Sequence, residues 1–450
     1  MRTIDLNKAQ QVVAEGMNQT ASERLKLQQE RLHELVAYVR EHSPYFAKLY
    51  ASIPKSFNLT DLPITKKKVL LDNYDDWVTD RELHLDDVLK YIKRDVSEED
   101  HLLLGKYTAL CTSGSTGNPL PMVRDDHRNK IHSQLIAQRL CGSMEPDILN
   151  IRKHKVATII HLSNGASSYE ALKRMKRANI GYEHNLLALS VLDNIDKIVE
   201  ELNRFQPEAM TGYPSVLIKL ALEQLKGSLH ISPKIIVCSA EMLSEDNFYL
   251  LKKAFNCPIG NNYCMTEGGE IAMTHNCPHL HLNEDWIIVE PVDKDMNVLE
   301  YSDEWSEGIL VTDLSNYVQP IIRYYVNDVV RIKRDPMECC SLHRLEIRGR
   351  VFDVCTICGK SFSVAAFYIK AEVWPGLCSF QFVQTDDRTL EIRGTCKEDS
   401  QLDKVLGSYC QYVKSFLNDF GCDDAQVVWS NKPFIPNKRG GKIPVYVKLE

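Results

Sequence analysis

The stretch Tyr107-Thr-Ala-Leu-Cys-Thr112-Ser-Gly-Ser-Thr-Gly-Asn-Pro119 joins a short apolar run to a loop of hydroxyl residues and glycines. The apolar run predicts a β-strand, and glycines let the backbone N–H groups after it turn toward a ligand. Serine and threonine hydroxyls add donors, so the loop suits phosphate oxygens. A Ser/Gly-rich surface turn is the alternative, and the Gly-Lys ending of a Walker A loop is absent. The predicted phosphate-binding residues are Thr112, Ser113, Gly114, Ser115, Thr116 and Gly117.

Apolar strand-like runs alternate with amphipathic helices from about residue 105 to about residue 260. This alternation predicts βαβ units and a largely parallel sheet with helices on both faces. Ligands of such sheets bind at the carboxyl ends of the strands. The predicted strands are Val156–Leu162, Ala209–Tyr213 and Lys234–Cys238, and the predicted helices are Tyr169–Ala178, Asp193–Phe205 and Ser215–Leu225.

The two flanks of this region have different patterns. Residues 21–50 predict a helix with one apolar stripe formed by Leu25, Leu32, Leu35, Val36 and Val39. The sequence becomes strand-rich after about residue 285. The predicted strands there are Trp286–Pro291, Gly308–Leu314, Ile321–Tyr325 and Val329–Ile332.

Length and composition limit the function without choosing it. A chain of 450 residues is expected to form two or more domains. Its net charge of -7 argues against nucleic acid or an anionic membrane as the main partner. No apolar run approaches the roughly 20 residues that cross a bilayer, and the N-terminus lacks a signal-peptide core. We therefore expect a cytoplasmic protein whose 14 cysteines are thiols or metal ligands.

A second informative segment is Asn261-Asn-Tyr-Cys-Met-Thr-Glu-Gly-Gly269. A carboxylate beside a hydroxyl, at the end of a predicted strand, suits a Mg²⁺ ion bound to nucleotide phosphates. A helix cap with an acidic first turn is the alternative.

Four further segments carry polar residues at the ends of apolar runs. Ser239-Ala-Glu241 follows a predicted strand, and Gln319–Asp328 ends in an aspartate that suits ribose hydroxyls. A turn residue is the usual role of such an aspartate, and Asn327 before it tolerates left-handed backbone angles. The other two segments are Gly349-Arg-Val-Phe-Asp353 and the basic Asn437-Lys-Arg-Gly-Gly-Lys-Ile443.

Together, these motifs resemble the signature of the adenylate-forming (acyl-adenylate) enzymes, in the phenylacetate–CoA ligase and capsule-biosynthesis branch. They occur in family order over residues 107–442. The resemblance implies an α/β fold with a large N-terminal domain of mixed, largely parallel sheets flanked by helices, including a small strand-rich part. It also implies a small mobile α+β C-terminal domain. The expected boundaries are 1–350, with a helical segment 1–60 and a strand-rich part 285–350, and 351–450.

The resemblance also implies residue roles. Ser239, Ala240, Glu241, Tyr263, Cys264 and Met265 would line the nucleotide, with Thr266 at the α-phosphate and Glu267 on Mg²⁺. Asp328 would bind the ribose, and Arg350 would approach ribose and phosphate. Lys442 would neutralise charge during adenylation. Cys264 replaces a usual glycine, and Phe352 replaces the aspartate that usually serves as the pivot between domains.

Cysteines and histidines crowd two regions of the sequence. Some branch members that resemble this chain carry a structural zinc, which implies Cys277, His281, Cys339 and Cys340 as ligands, with His279 as an alternate. Those members supply two of the ligands from a Cys-x-Cys pair, whereas Cys339 and Cys340 are adjacent. Adjacent cysteines rarely bind one ion together. A second ligand set would join this pair to Cys355 and Cys358, although residues i and i+3 of a strand face opposite ways. Ordinary thiols are the third interpretation.

The implied reaction joins a small-molecule carboxylic acid to ATP and then transfers the acyl group to coenzyme A. Transfer to an amine, a hydroxyl or a carrier protein is the first alternative, and a non-catalytic nucleotide-binding relative is the second. The implied cofactors are ATP and Mg²⁺, with CoA and structural Zn²⁺ as further expectations. A homodimer is compatible with the resemblance. The acyl pocket would draw on 161–165, Tyr213-Pro214 and Ser239–Glu241, and these residues do not specify the acid.

Overall fold

The computed structural model describes residues 3–94, 102–112, 119–142, 145–162, 167–333, 341–350, 354–363, 367, 371, 374–396, 398–419, 421–436 and 443–449. Within these ranges the α-helices are α1 Leu6–Asn18, α2 Ala21–His42, α3 Pro44–Leu49, α4 Lys67–Asp72, α5 Tyr74–Trp77, α6 Leu85–Lys93, α7 Asp126–Leu135, α8 Ser167–Ala178, α9 Ile195–Phe205, α10 Pro214–Lys226, α11 Glu245–Phe255 and α12 Leu402–Asp419. A π-helical segment, Ile136–Leu140, continues α7. No helix of the described ranges is both long and apolar enough to cross a membrane.

The strands follow the helices through the whole chain. The first ten are β1 Thr108–Cys111, β2 Pro121–Arg124, β3 Val156–Ile160, β4 Leu186–Ser190, β5 Ala209–Gly212, β6 Ile235–Ser239, β7 Ile259–Met265, β8 Gly269–His275, β9 Leu280–Leu282 and β10 Ile287–Val292. The others are β11 Gly308–Asp313, β12 Tyr324–Val326, β13 Asp328–Lys333, β14 Arg344–Arg350, β15 Val354–Ile357, β16 Lys360–Ser363, β17 Leu377–Gln384, β18 Thr389–Cys396, β19 Gln426–Ser430 and β20 Tyr446–Lys448.

The largest sheet of the described residues has nine strands in the order β13-β14-β9-β8-β7-β6-β5-β3-β4. The half from β4 to β7 is parallel, and the half from β7 to β13 is antiparallel. Helices connect the parallel strands because parallel neighbours require crossover connections. The expected α/β architecture is confirmed, and β7 lies where the two halves of the sheet meet.

Separate apolar cores stabilise the layers. One buries Leu35, Val39 and Trp77 of the N-terminal helices against the β1–β2 hairpin and residues 314–324. Two others lie on the large sheet. A fourth core is built entirely from residues at or beyond Cys355, where α12 packs on the sheet β19-β18-β17-β20. The domain boundary near residue 350 stays a prediction, because residues 351–353 lie outside the described ranges.

Local details of the sequence prediction were wrong at four positions. Leu25 is 55% exposed, so the apolar stripe of α2 begins only at Leu32. β12 begins at Tyr324, because Ile321–Arg323 instead run beside Thr65 of the N-terminal segment. Asp328 begins β13 rather than ending a strand, and the left-handed residue nearby is Arg323 (φ 46°), not Asn327. The buried ion pair of Arg323 with Glu290, at 3.0 Å, holds that unusual backbone.

Candidate active site

The strands β7 and β8 form an antiparallel hairpin, and its turn carries Thr266 and Glu267. On the other side of β7 lies β6, with Ser239 opposite Asn262. The segment Ser239–Glu241 and the segment Tyr263–Glu267 therefore leave neighbouring strands at the same edge of the sheet. This edge is the carboxyl end of the parallel strands, as the sequence predicts.

The predicted ribose residue, Asp328, lies against the same hairpin. The hydroxyl of Tyr263 donates a hydrogen bond of 2.6 Å to Asp328 Oδ2. In the β13–β14 pair, Asp328 stands directly opposite the main chain of Arg350. Three residues far apart in sequence are thus brought together by a hydrogen bond and by strand register.

The predicted metal carboxylate, Glu267, has a phenol beside it. The hydroxyl of Tyr324 lies 3.3 Å from Glu267 Oε1. Burial raises the pKa of Tyr324, and the Glu267 carboxylate raises it further, so this hydroxyl keeps its proton and donates. A hydrogen bond therefore holds the Glu267 carboxylate in place. Carboxylate oxygens are the ligand type that Mg²⁺ prefers.

Glu241 connects the site to the C-terminal segment. Its Oε2 atom accepts a hydrogen bond of 2.9 Å from the N–H of Ser215, in the first turn of α10. Its Oε1 atom accepts one of 3.3 Å from the N–H of Ile443. Ile443 directly follows Lys442 in sequence, so the end of the predicted lysine loop is docked on the segment predicted to line the nucleotide.

Four predicted segments fall wholly or partly outside the described residues: the phosphate loop, the cysteine pair at 339–340, the segment 349–353 and the lysine loop. Of the phosphate loop, Thr112 is described: its N–H donates to Leu120 O at 3.0 Å, and its hydroxyl oxygen accepts from Leu120 N at 2.9 Å. These bonds close the loop at its base. The predicted site residues that lie outside the described ranges are Ser113, Gly114, Ser115, Thr116, Gly117, Cys339, Cys340 and Lys442, and nothing is described of the Arg350 side chain.

The described part of the predicted acyl pocket lies at the ends of three adjacent strands, β3, β5 and β6, and its residues 163–165 are outside the described ranges. His161 follows β3, Tyr213 follows β5, and Ser239 ends β6. The Nδ1 atom of His161 is buried and has no hydrogen-bond partner among the described residues, and burial lowers the pKa of this imidazole. A neutral ring nitrogen is therefore available at this edge.

Half of the predicted zinc set is described. His281 is buried on β9, and burial with neighbouring His279 and Arg344 lowers its pKa to about 4. Burial also lowers the pKa of His279. Both imidazoles are thus neutral, the form that binds metals. Within the described ranges no group of three or more His, Cys, Asp or Glu side chains is arranged to hold a metal ion.

The sequence prediction missed three side chains that contact the Thr266–Glu267 turn or its base. Tyr324 lies within the Gln319–Asp328 segment, but the sequence pattern assigns no role to it. Arg124, at the end of β2, donates a hydrogen bond of 2.8 Å to the Thr266 carbonyl oxygen. His132 of α7 bonds Glu270, three residues after Glu267. Neither Arg124 nor His132 belongs to a local motif, so their contacts depend on tertiary structure.

The chain has sequence relatives among known proteins, and solved structures share its fold. No family model matches the chain. It is 24% identical over 318 residues to Protein CapK of Staphylococcus aureus, a match that covers 69% of this chain and 63% of CapK. It is 24% identical over 354 residues to the phenylacetate–coenzyme A ligase of Thermus thermophilus, covering 74% of this chain and 72% of the ligase. The chain thus spans less than two thirds of CapK.

Solved structures of 2-hydroxyisobutyryl-CoA ligase have the same fold. The postadenylation state, in complex with an acyl-AMP, matches with a TM-score of 0.67 at 17% identity over 96% of this chain and 91% of that one. The thioesterification state, with acyl-AMP and CoA, matches with a TM-score of 0.56. Together with the sequence relatives, these matches confirm the resemblance that the motifs indicate. The chain therefore has the fold of the adenylate-forming ligases, and its sequence relatives belong to the phenylacetate–CoA ligase and CapK branch.

Proposed function

We propose that this chain is an AMP-forming ligase that activates a carboxylic acid as an acyl-adenylate and then transfers the acyl group to coenzyme A. The observation that carries this proposal is the convergence of four separate segments at one sheet edge. Hydrogen bonds join Tyr263 to Asp328, Tyr324 to Glu267, and Glu241 to Ile443. Residues whose types suit ribose, metal and phosphate thus lie where an α/β sheet binds its ligands.

A carboxylate oxygen would attack the α-phosphorus of ATP, and the bond to the β-phosphate would break with release of pyrophosphate. Both partners of this step are anions, so catalysis depends on positioning and on charge neutralisation. Glu267 would hold Mg²⁺, which neutralises phosphate charge when bound, and Lys442 would approach the carboxylate and the α-phosphate. Asp328 would orient the ribose, and Glu241 would keep the lysine loop docked.

ATP–pyrophosphate exchange over a panel of carboxylic acids, with and without CoA, tests this function. We expect exchange with at least one acid and a thioester product that requires CoA. Exchange without a CoA-dependent product would indicate that the acyl acceptor is not CoA. Absence of exchange with every acid would favour a nucleotide-binding relative without catalysis. The chain's cytoplasmic location remains part of the proposal.

An amine or hydroxyl acceptor is the second candidate, and His161 favours it. These nucleophiles must lose a proton during acyl transfer, and a neutral imidazole is a suitable base. His161 supplies a buried Nδ1 atom that no residue of the described ranges hydrogen-bonds, at the edge where the acyl group would lie. The dependence of the product on CoA separates this candidate from the first.

We also propose that Cys277, His281, Cys339 and Cys340 hold a structural zinc, with His279 as the alternate ligand. The neutral, buried imidazole of His281 fits such an ion. Four N/S ligands would leave no open position for chemistry, so zinc would stabilise the fold.

Metal analysis of chelator-washed protein is expected to find about one zinc per chain. The Cys277→Ser variant should lose that zinc and lower the thermal unfolding temperature, because metal binding stabilises the fold. The matched control is Cys358→Ser, which removes a cysteine of the second ligand set. This variant should keep both the zinc and the unfolding temperature of the wild type. A metal-free wild type of unchanged stability would show these residues to be ordinary side chains.

A further inference from the structure

The helix α7 lies directly against the base of the turn that carries Thr266 and Glu267. Gly269, which begins β8, has a positive φ of 72°. A Cβ atom on Gly269 would lie 2.4 Å from both Arg128 Nη2 and His132 Cε1. These two side chains are one helical turn apart on α7, so the helix packs closely on the backbone of the hairpin.

A chain of buried hydrogen bonds extends from His132 in two directions. The Nδ1 atom contacts the Glu270 carboxylate, and the Nε2 atom lies 2.9 Å from Ser315 Oγ. Ser315 Oγ donates to Asp313 Oδ1 at 2.5 Å, and Arg128 Nε donates to Asp313 Oδ2 at 2.9 Å. The serine, histidine and glutamate resemble a nucleophilic triad in connectivity, but Ser315 is fully buried and directs its proton to Asp313.

The positions of the protons follow from these contacts. Burial acts to raise the pKa of Asp313, but Arg128, His132 and Ser315 hold it well below its usual range. Asp313 is therefore a carboxylate that only accepts, and it takes the one proton of Ser315. The Nε2 atom must then donate to Ser315.

The second ring nitrogen faces another ionised carboxylate. Burial acts to raise the pKa of Glu270, but His132, Arg128 and Arg124 lower it to about 2. Glu270 therefore accepts as well, and the N–H of Glu270 lies 3.4 Å from the same Nδ1 atom. His132 is thus buried, at only 4% exposure, with one ring nitrogen at Glu270 and the other at Ser315.

We propose that His132 is a positioning residue for adenylation: fixed between Glu270 and Ser315, its ring holds the turn that carries Thr266 and Glu267. This inference rests on the proposed function. Arg124 supports the same turn from its other end, through the Thr266 carbonyl oxygen. The groups that face His132 are Glu270 of β8, Asp313 and Ser315 at the end of β11, and Arg128 of its own helix.

Loss of the imidazole leaves the buried Glu270 carboxylate without the ring that contacts it. An uncompensated buried charge is costly, so the hairpin is expected to shift until water reaches Glu270. That shift displaces Thr266 and Glu267, which lie four and three residues before Glu270, while Asp328 and the C-terminal core stay in place. The expected effect is therefore specific to magnesium-bound ATP.

The test compares His132→Gln with His275→Gln, a control at the opposite end of β8, where the ring contacts Leu140 O at 3.0 Å. We expect His132→Gln to weaken binding of Mg·ATP by about tenfold or more, measured by calorimetry without acid, and to leave the control within about twofold of wild type. The KM for the acid should change little. Ser315→Ala, which leaves the ring in place and removes the hydroxyl 2.9 Å from Nε2, should weaken Mg·ATP binding in the same direction by a smaller factor.

Three outcomes overturn the proposal. Wild-type affinity for Mg·ATP in Ser315→Ala contradicts a role for the contact that fixes the ring, and this variant serves where His132→Gln does not fold. Wild-type affinity for Mg·ATP in a folded His132→Gln protein contradicts the positioning role, while the proposed function stands. Failure of the wild type itself to bind Mg·ATP removes both the proposed function and this inference.

Discussion

Replacing Glu267 by glutamine is expected to lower the rate of pyrophosphate release by about 100-fold or more, with the fold intact. Glutamine has nearly the same volume, and its amide oxygen can still accept from the Tyr324 hydroxyl, so packing and that hydrogen bond are preserved. The change removes the negative charge that Mg²⁺ requires from its few protein ligands. The measurement is pyrophosphate release at saturating acid and ATP over a series of magnesium concentrations.

A surface substitution of the same type provides the control for this experiment. Glu304→Gln changes an exposed residue of the turn before β11 and should leave the rate unchanged. Tyr324→Phe, which removes the hydroxyl at 3.3 Å from Glu267 Oε1, should raise the magnesium requirement without abolishing the reaction. Near-normal pyrophosphate release in Glu267→Gln would show that this carboxylate does not hold the nucleotide metal.

The general architecture could be predicted because it depends on local patterns. Apolar runs that alternate with amphipathic helices predicted the parallel strands β3, β5 and β6 and the helices α8, α9 and α10, with ends displaced by only a few residues. The prediction failed where tertiary packing decides the conformation. Leu25 fits the periodicity of α2 but no layer covers it, and Ile321 to Arg323 lie beside Thr65 instead of forming a strand.

Residues at the site could be predicted when they belong to a motif and not otherwise. Tyr263, Glu267 and Asp328 occur in short runs of unusual composition, and the fold brings Tyr263 and Asp328 to 2.6 Å. Arg124 and His132 lie on β2 and α7, in sequence that looks like any polar helix start. Their significance depends on contacts with Thr266 and Glu270, over 130 residues away, which periodicity cannot reveal.

Lys442→Ala is expected to affect the two half-reactions most unequally. We expect adenylate formation from acid and ATP to fall by about 100-fold to 1000-fold, while acyl transfer from a supplied acyl-adenylate continues at close to the wild-type rate. In the first step a carboxylate meets the α-phosphate, so two negative charges must be neutralised by a cation. In the second step a thiol attacks the carbonyl of the mixed anhydride. No carboxylate approaches the phosphate in this step, so it does not require the lysine cation.

The hydrogen bond from Ile443 N to Glu241 Oε1, at 3.3 Å, supports this assignment, because it docks the residue after Lys442 on the predicted nucleotide segment. Lys448→Ala is the matched control: this exposed lysine lies on β20 of the same domain, and both half-reactions should be unaffected. Phe352 stands where the domain pivot usually carries an aspartate, so the C-terminal domain of this chain need not rotate. Loss of both half-reactions in Lys442→Ala, or of neither, would contradict a rotating domain, and residues 351–450 would then act as a fixed lid over the site.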